Sequence, residues 1–188
     1  MFFGIISTVI RMKEQIGQQL KDSVQGFKLP RYDQIPTMGL YLEQASKYVC
    51  EYLTPLGDFS LTPSMISNYV KKGLIANPVK KLYSREQIAY LFFIAVAKSV
   101  LSLDALSSFI ALQKHTYPLQ RAYDYFCEEF ESILYFTFGT TDVMEAKGEE
   151  GSTEKRLLFA CIVASVEKVY LEKYLEALPT ADGSEKVS

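Results

Sequence analysis

The sequence is poor in the residues that do covalent and metal chemistry. Its 188 residues include one histidine, His115, and three cysteines, at 50, 127 and 161. A lone histidine near an expected helix end has no partner in sequence to make it an acid, a base or a ligand. Three thiols, odd in number, widely spaced and without a C-x-x-C pair, support neither a disulfide framework nor a zinc site. They are expected on apolar helix faces as small hydrophobes, in a reducing cytoplasmic compartment. The G-x-x-x-x-G-K-[ST] and G-x-G-x-x-G loops that cradle phosphates are missing, and so is the G-x-S-x-G nucleophile elbow. Glu128, Glu129 and Glu131 lie close together, but without a histidine beside them they read as a solvated helix face. These absences predict no catalytic residue, no metal, no cofactor and no enzymatic activity.

Long apolar runs are lacking too. The opening MFFGIISTVI is apolar but far below the roughly 20 residues that span a bilayer. No basic region precedes it and no small-residue cleavage site closes it, so it does not read as a signal peptide. No membrane partner is expected, and translation beginning at Met12 is one reading of this segment. The chain is 48% hydrophobic with a net charge of -2, enough apolar material for one domain with a helical extension.

What is present concentrates in residues 61–83, LTPSMISNYVKKGLIANPVKKLY. Thr62 can accept a hydrogen bond from a free N–H of a first helical turn, and Pro63 loses no bond at the first helical position. Gly73 suits the left-handed stop, so the sequence predicts a helix over 63–72. Ile66, Tyr69 and Val70 fall at helical spacing on an inward face, leaving Ser64, Ser67, Asn68, Lys71 and Lys72 outside. Asn77-Pro78 makes a turn, and Lys80, Lys81 and Tyr83 follow on a short extended segment. Residues 62–87 carry Lys71, Lys72, Lys80, Lys81 and Arg85 against Glu86 alone. Such local clustering in an acidic chain is the footprint expected for phosphate contact.

Leu61 to Leu106 resembles the winged helix-turn-helix of MerR-type transcription regulators. It is more similar to a bacterial family of uncharacterised domains with the motifs LT-x-x-MI-x-NYVK, met here from Leu61 to Lys71, and K-x-YSREQI, met from Lys81 to Ile88. The resemblance implies an all-α fold with a short β wing. It also implies duplex DNA as a partner, with the helix from Pro63 in the major groove and Lys80 and Lys81 along the backbone. Candidate DNA contacts are Thr62, Ser64, Ser67, Asn68, Lys71, Lys72, Lys80, Lys81, Tyr83 and Arg85. Base reading falls to Asn68 and Ser64, because Asn pairs bidentately with adenine. The chain departs from the MerR pattern where Ser67 replaces an expected arginine, and in a connection of about eight residues before the helix, longer than the usual three or four.

Elsewhere the pattern is helical. Ile16, Leu20 and Val24 mark a helix over 12–24, and apolar groups from Tyr41 to Tyr52 mark another over 40–53. Ser84 and Gln87 form a capping box ahead of AYLFFIAVA, apolar on all sides and so expected to be the buried central helix. Ser102 opens a helix to about Lys114. Residues 117–138 hold eight aromatics, an acidic loop covers 139–151, and a long helix over 153–178 contains LLFACIVA, which needs cover all round. The expected organisation is a helical extension over 1–30, a winged helix-turn-helix domain over 31–115, a C-terminal helical hairpin over 116–178 and a mobile tail over 179–188. The hairpin reads as core, as a homodimer interface or as a pocket for a small apolar effector. A DNA-binding regulator is the leading reading, and a protein-interaction or effector-sensing module on the same scaffold is the alternative.

Overall fold

Ser84 starts the helix on which the other elements rest. Its hydroxyl accepts from the Gln87 N–H at 3.4 Å while the Gln87 side chain accepts from the Ser84 N–H at 2.8 Å, closing the expected capping box. The computed structural model describes residues 2–57, 59–144 and 151–179, with side chains from Arg11 onward. It contains α1 (Phe2–Val24), α2 (Leu42–Leu53), α3 (Pro63–Lys71), α4 (Arg85–Ala97), α5 (Leu103–Thr116), α6 (Leu119–Thr137) and α7 (Thr153–Ala177), with short 3-10 turns at Tyr32–Gln34 and Thr54–Leu56. The fold is mainly helical. Among the described residues there is no strand, and the expected β wing reduces to two isolated bridges, Val79 with Leu82 and Leu40 with Tyr83. Two ladder pairs on a chain that turns after each are too few to make a strand.

α4 is buried from Gln87 through Ala97 apart from Tyr90 and Phe93, which are half-buried. It is covered by α2, α6 and α7. Tyr48 and Tyr52 of α2 meet Phe92 edge-on, with ring centroids 5.9 and 5.8 Å away, and Phe126 of α6 meets Phe93 at 5.7 Å. Each such side chain contributes about 1.5–3 kcal/mol by leaving water. The hydrophobic cluster built on this helix is continuous from Ile16 of α1 to Val169 of α7.

Two helices differ from their expected form. α1 begins at Phe2 rather than residue 12, with Ile16, Leu20 and Val24 buried as their spacing predicts. The need of residues 157–164 for cover all round is met on one face only: Cys161 and Ile162 are buried, whereas Leu157 is 44% exposed. The tail at 180–188 and the acidic loop at 145–150 lie outside the described residues. No helix among the described residues is long and apolar enough to cross a membrane. Burial pushes the Cys127 thiol up to about 12 and the Cys161 thiol up to about 11, so both stay protonated at neutral pH and act as small hydrophobes.

The expectation of a solvated face at Glu128, Glu129 and Glu131 holds for Glu128 and fails for the other two, which are buried. Glu131 is buried because the segment between α1 and α2 folds over it. The Arg31 guanidinium donates to both carboxylate oxygens at 2.7 and 2.8 Å, Lys28 donates at 2.8 Å and the Leu29 N–H at 2.9 Å. One carboxylate on α6 thereby holds Lys28, Leu29 and Arg31, and Asp124 adds a bond from the Tyr32 N–H at 2.8 Å. Burial pushes the Glu131 carboxyl up, but the bonds from Arg31, Lys28 and Leu29 outweigh it and hold it below its ordinary value.

A folded-state value below the unfolded one means that Glu131 stabilises the fold above about pH 4.3 and stops doing so as pH falls through its folded value. Glu131→Gln should cost about 2 kcal/mol at neutral pH, less than a fully enclosed pair because Arg31 and Lys28 reach solvent. The difference in melting between wild type and variant should shrink once the pH drops below about 4. A gap of constant size from neutral to strongly acidic solution would show that the carboxylate charge is not what holds the segment.

Candidate nucleic-acid interface

α3 is built by the residues that predict it. The Thr62 hydroxyl accepts from the Met65 N–H at 3.2 Å, Pro63 opens the helix, and Lys72 closes it one residue short of the expected end. Gly73 follows at φ 75°, a left-handed stop that a side chain enters only at a cost. Ile66 and Tyr69 are buried and Val70 half-buried, while Ser64, Ser67, Asn68, Lys71 and Lys72 are exposed. Burial also pushes the Tyr69 hydroxyl up from its ordinary value. Two of the polar groups have structural work: Thr62 is the cap, and the Ser67 hydroxyl donates back to the Pro63 carbonyl at 2.9 Å.

The approach to α3 is fastened by a pair of α2 side chains that sequence reasoning passed over. The Ser46 hydroxyl donates to the Leu61 carbonyl, and the Leu61 N–H donates to Cys50 Sγ at 3.3 Å. Ser46 and Cys50 stand one turn apart beside buried Ala45 and Val49. A small polar pair at that spacing along an apolar face was the signal present in the sequence.

Beyond Gly73 the chain forms a two-residue hairpin. Val79 and Leu82 exchange backbone bonds at 3.2 and 2.9 Å, with Lys80 and Lys81 between them at φ 51° and 66°. Positive φ at both central residues defines the type I′ turn, whose usual occupants are Asn and Gly. Here both positions are lysines, and both are exposed. The hairpin is held at each end: Gln87 Nε2 donates to the Ala76 carbonyl at 2.6 Å, and Tyr83 exchanges bonds with Leu40 at 2.8 and 2.9 Å. Gly39 makes that exchange possible, since a Cβ there would sit 3.1 Å from Leu82 Cβ and 3.2 Å from the Tyr83 carbonyl oxygen.

Of the expected DNA contacts, Tyr83 is turned away from solvent and Arg85 is engaged within the chain. Tyr83 is 4% exposed, and burial, followed by nearby Glu43, raises its hydroxyl above the ordinary value. It faces inward because its backbone bridge to Leu40 sets the alternation of the segment. Arg85 is taken by the 3-10 turn at 32–34: its Nε donates to the Ile35 carbonyl at 2.8 Å, its guanidinium reaches Asp33 Oδ1 at 3.4 Å, and it lies over the Tyr32 ring at 5.4 Å. The exposed cations of the segment are therefore Lys71, Lys72, Lys80 and Lys81.

A protein-family model matches residues 30–126, just over half of the sequence, and describes a domain of unknown function, DUF1836. The chain belongs to the DUF1836 family. The DUF1836 match runs from the pinned segment through α2, α3, the hairpin, α4 and α5 into α6, so it contains the whole candidate interface and leaves α1 and α7 outside. It agrees with the closer of the two resemblances, that to a family of uncharacterised domains. No curated protein and no solved structure matches the chain.

The inward face of α3 gives a test of what the helix rests on. Tyr69→Ala removes a large buried side chain and should cost roughly 3 kcal/mol of stability, read by denaturant unfolding. Wild-type stability in that variant would mean that the Tyr69 face is not core and that the assignment of inner and outer faces is reversed.

Proposed function

We propose that this DUF1836 protein is a non-enzymatic regulator that binds duplex DNA, with α3 as the recognition helix and the Val79–Leu82 hairpin as the wing of a MerR-like winged helix. The observation that carries the reading is the lysine pair at the hairpin tip. A left-handed conformation costs roughly 1–2 kcal/mol for a residue with a Cβ, and the sequence accepts that cost twice to place two exposed cations side by side. Strain kept at an exposed tip points to function, and two ammonium groups at a turn suit a phosphate backbone. Ser64 and Asn68 on the exposed face of α3 are then the side chains positioned for base edges, with Lys71 and Lys72 beside them.

The alternative is an interaction module that keeps the scaffold and binds a protein. It is favoured by the burial of Tyr83 and the engagement of Arg85 by Ile35 and Asp33, by Ser67 in place of an arginine, and by a net charge of -2.

Lys80→Asn with Lys81→Gly separates the two readings, because it suits the type I′ turn while removing both charges. The variant should be more stable than wild type by about 1 kcal/mol or more. Its affinity for duplex DNA should fall, with a salt dependence flatter by about 0.9 log units per log unit of salt for each phosphate the hairpin no longer touches. A more stable variant with unchanged affinity and salt slope would take the hairpin out of the interface. No measurable affinity of the wild type for any duplex would favour the interaction module.

The same proposal includes a homodimer through α7. Leu157, Ala164 and Leu171 recur every seven residues on its exposed face, with Leu175 one turn further on and a Lys168–Glu172 pair at 2.5 Å alongside. A seven-residue apolar repeat is the seam of paired helices. Two copies would present two recognition helices to a symmetric site. Light scattering at tens of micromolar should give twice the 21.3 kDa chain mass, and the monomer mass would refute the seam.

A further inference from the structure

α5 meets the rest of the fold along a narrow stripe. Of its 14 residues only Leu106 and Ile110 are buried. Phe109 and Leu112 stay half-buried, because they line a cavity between the C-terminal half of α5 and the first turns of α6 and α7. Its volume is about 510 Å³, the size of a small-molecule site. Ala122 of α6 and Leu158 of α7 complete the apolar wall. A narrower cleft of about 60 Å³ shares Phe109, Ala122 and Leu158 and continues the wall to Phe93 and Phe126 of the core.

The polar groups decide what would fit. No charged side chain lines the cleft, and its one amide, Gln113, is already spent: it accepts from the Tyr90 hydroxyl at 2.9 Å and donates to the Tyr117 carbonyl at 2.8 Å. A charged group carried that far in would leave water without gaining a partner. At the wider mouth Arg121 and Lys155 stand among Asp124, Glu128 and Glu154. Two cations against three carboxylates, mixed on the same walls and open to water, give an anion no net attraction. What remains to bind with is aromatic surface. Phe93 meets Phe109 at 5.1 Å and Phe126 at 5.7 Å, the second pair at 85°, and rings arranged in this way can take a further ring edge-on or offset.

We infer that this cavity binds a small uncharged aromatic molecule, its ring against Phe109 and Leu158 and its inner edge toward Phe126. Such a ligand suits a DNA-binding regulator and an interaction module alike.

The probe is neutral N-phenyl-1-naphthylamine, titrated into the full chain and followed by fluorescence, with 1-anilinonaphthalene-8-sulfonate as its anionic counterpart. The amine should bind saturably at one site per chain. The sulfonate should bind about fivefold more weakly, the scale of one like charge near contact in water. Ala122→Leu, which fills the junction of cavity and cleft, and Leu158→Ser, which strips the apolar wall, should each weaken the amine about tenfold or more in a chain that still melts cooperatively. Met38→Ser removes an apolar side chain that is 83% exposed and lines neither space, and should leave both probes unchanged. Equal or tighter binding of the sulfonate would overturn the choice of an uncharged ligand. Undiminished amine binding in either folded cavity variant, or its loss in Met38→Ser, would overturn the site.

Discussion

A helix that is apolar on every face has to be enclosed, and α4 sets that condition for the whole fold. With nothing polar between Ala89 and Ala97 except the Tyr90 hydroxyl, it cannot lie on a surface, and α2, α6 and α7 take their places by covering it. Its polar anchoring lies mostly at its start, where Ser84 and Gln87 close the cap and Gln87 reaches on to Ala76, with one further bond from the Tyr90 hydroxyl to Gln113 of α5. The Gln87 bond to Ala76 makes the buried helix the base of the exposed hairpin. The hairpin is therefore tied to the core on one side by Gln87 and to the segment before α2 on the other by the Tyr83–Leu40 exchange.

The second constraint is the buried carboxylate of Glu131. Without it the segment from Lys28 to Arg31 would keep the apolar contacts of Phe27, Leu29 and Ile35 and the bonds of its neighbours, from Tyr135 to the Phe27 carbonyl and from the Tyr32 N–H to Asp124, but would lose the bonds to its own residues 28, 29 and 31. With it, that segment carries Asp33 and Leu40 to the places where they meet Arg85 and Tyr83. A buried ion pair is weak as a source of stability but strong as a way to fix one arrangement. Here it fixes which residues of the basic segment face inward. By contrast the hairpin tip gives up stability, placing two lysines where Asn and Gly would sit without strain. The two sites show opposite uses of charge, one buried to hold the backbone and one displayed on a strained turn.

Local chemistry made much of this legible in the sequence. Thr62, Pro63 and Gly73 bound α3 to within a residue, Ser84 with Gln87 marks the start of α4, and the all-apolar run identifies α4 as the central element. These signals act over three or four residues, so they survive without tertiary information. What was not legible depended on partners far along the chain. Arg85 meets Asp33 from 52 residues away, and Glu131 meets Arg31 from 100. No pattern near Glu131 distinguishes it from Glu128, which stays in solvent. Tyr83 read as a contact because it follows two lysines, and only its bridge to Leu40 shows that it points inward. A turn was legible at Asn77-Pro78, but the hairpin turn lies two residues later, at a lysine pair with no turn propensity.

The central claim is that α3 and the lysine hairpin form one surface for duplex DNA. Selection from a pool of random duplexes with the purified full-length chain tests it most directly. The expected result is enrichment of a two-fold symmetric site with half-sites about one helical turn, roughly 34 Å, apart or a multiple of it, with discrimination relaxed at one base position of each half-site when Asn68 is replaced by Ala. A pool that stays random through repeated rounds, at a salt concentration low enough to retain phosphate binding, would contradict it.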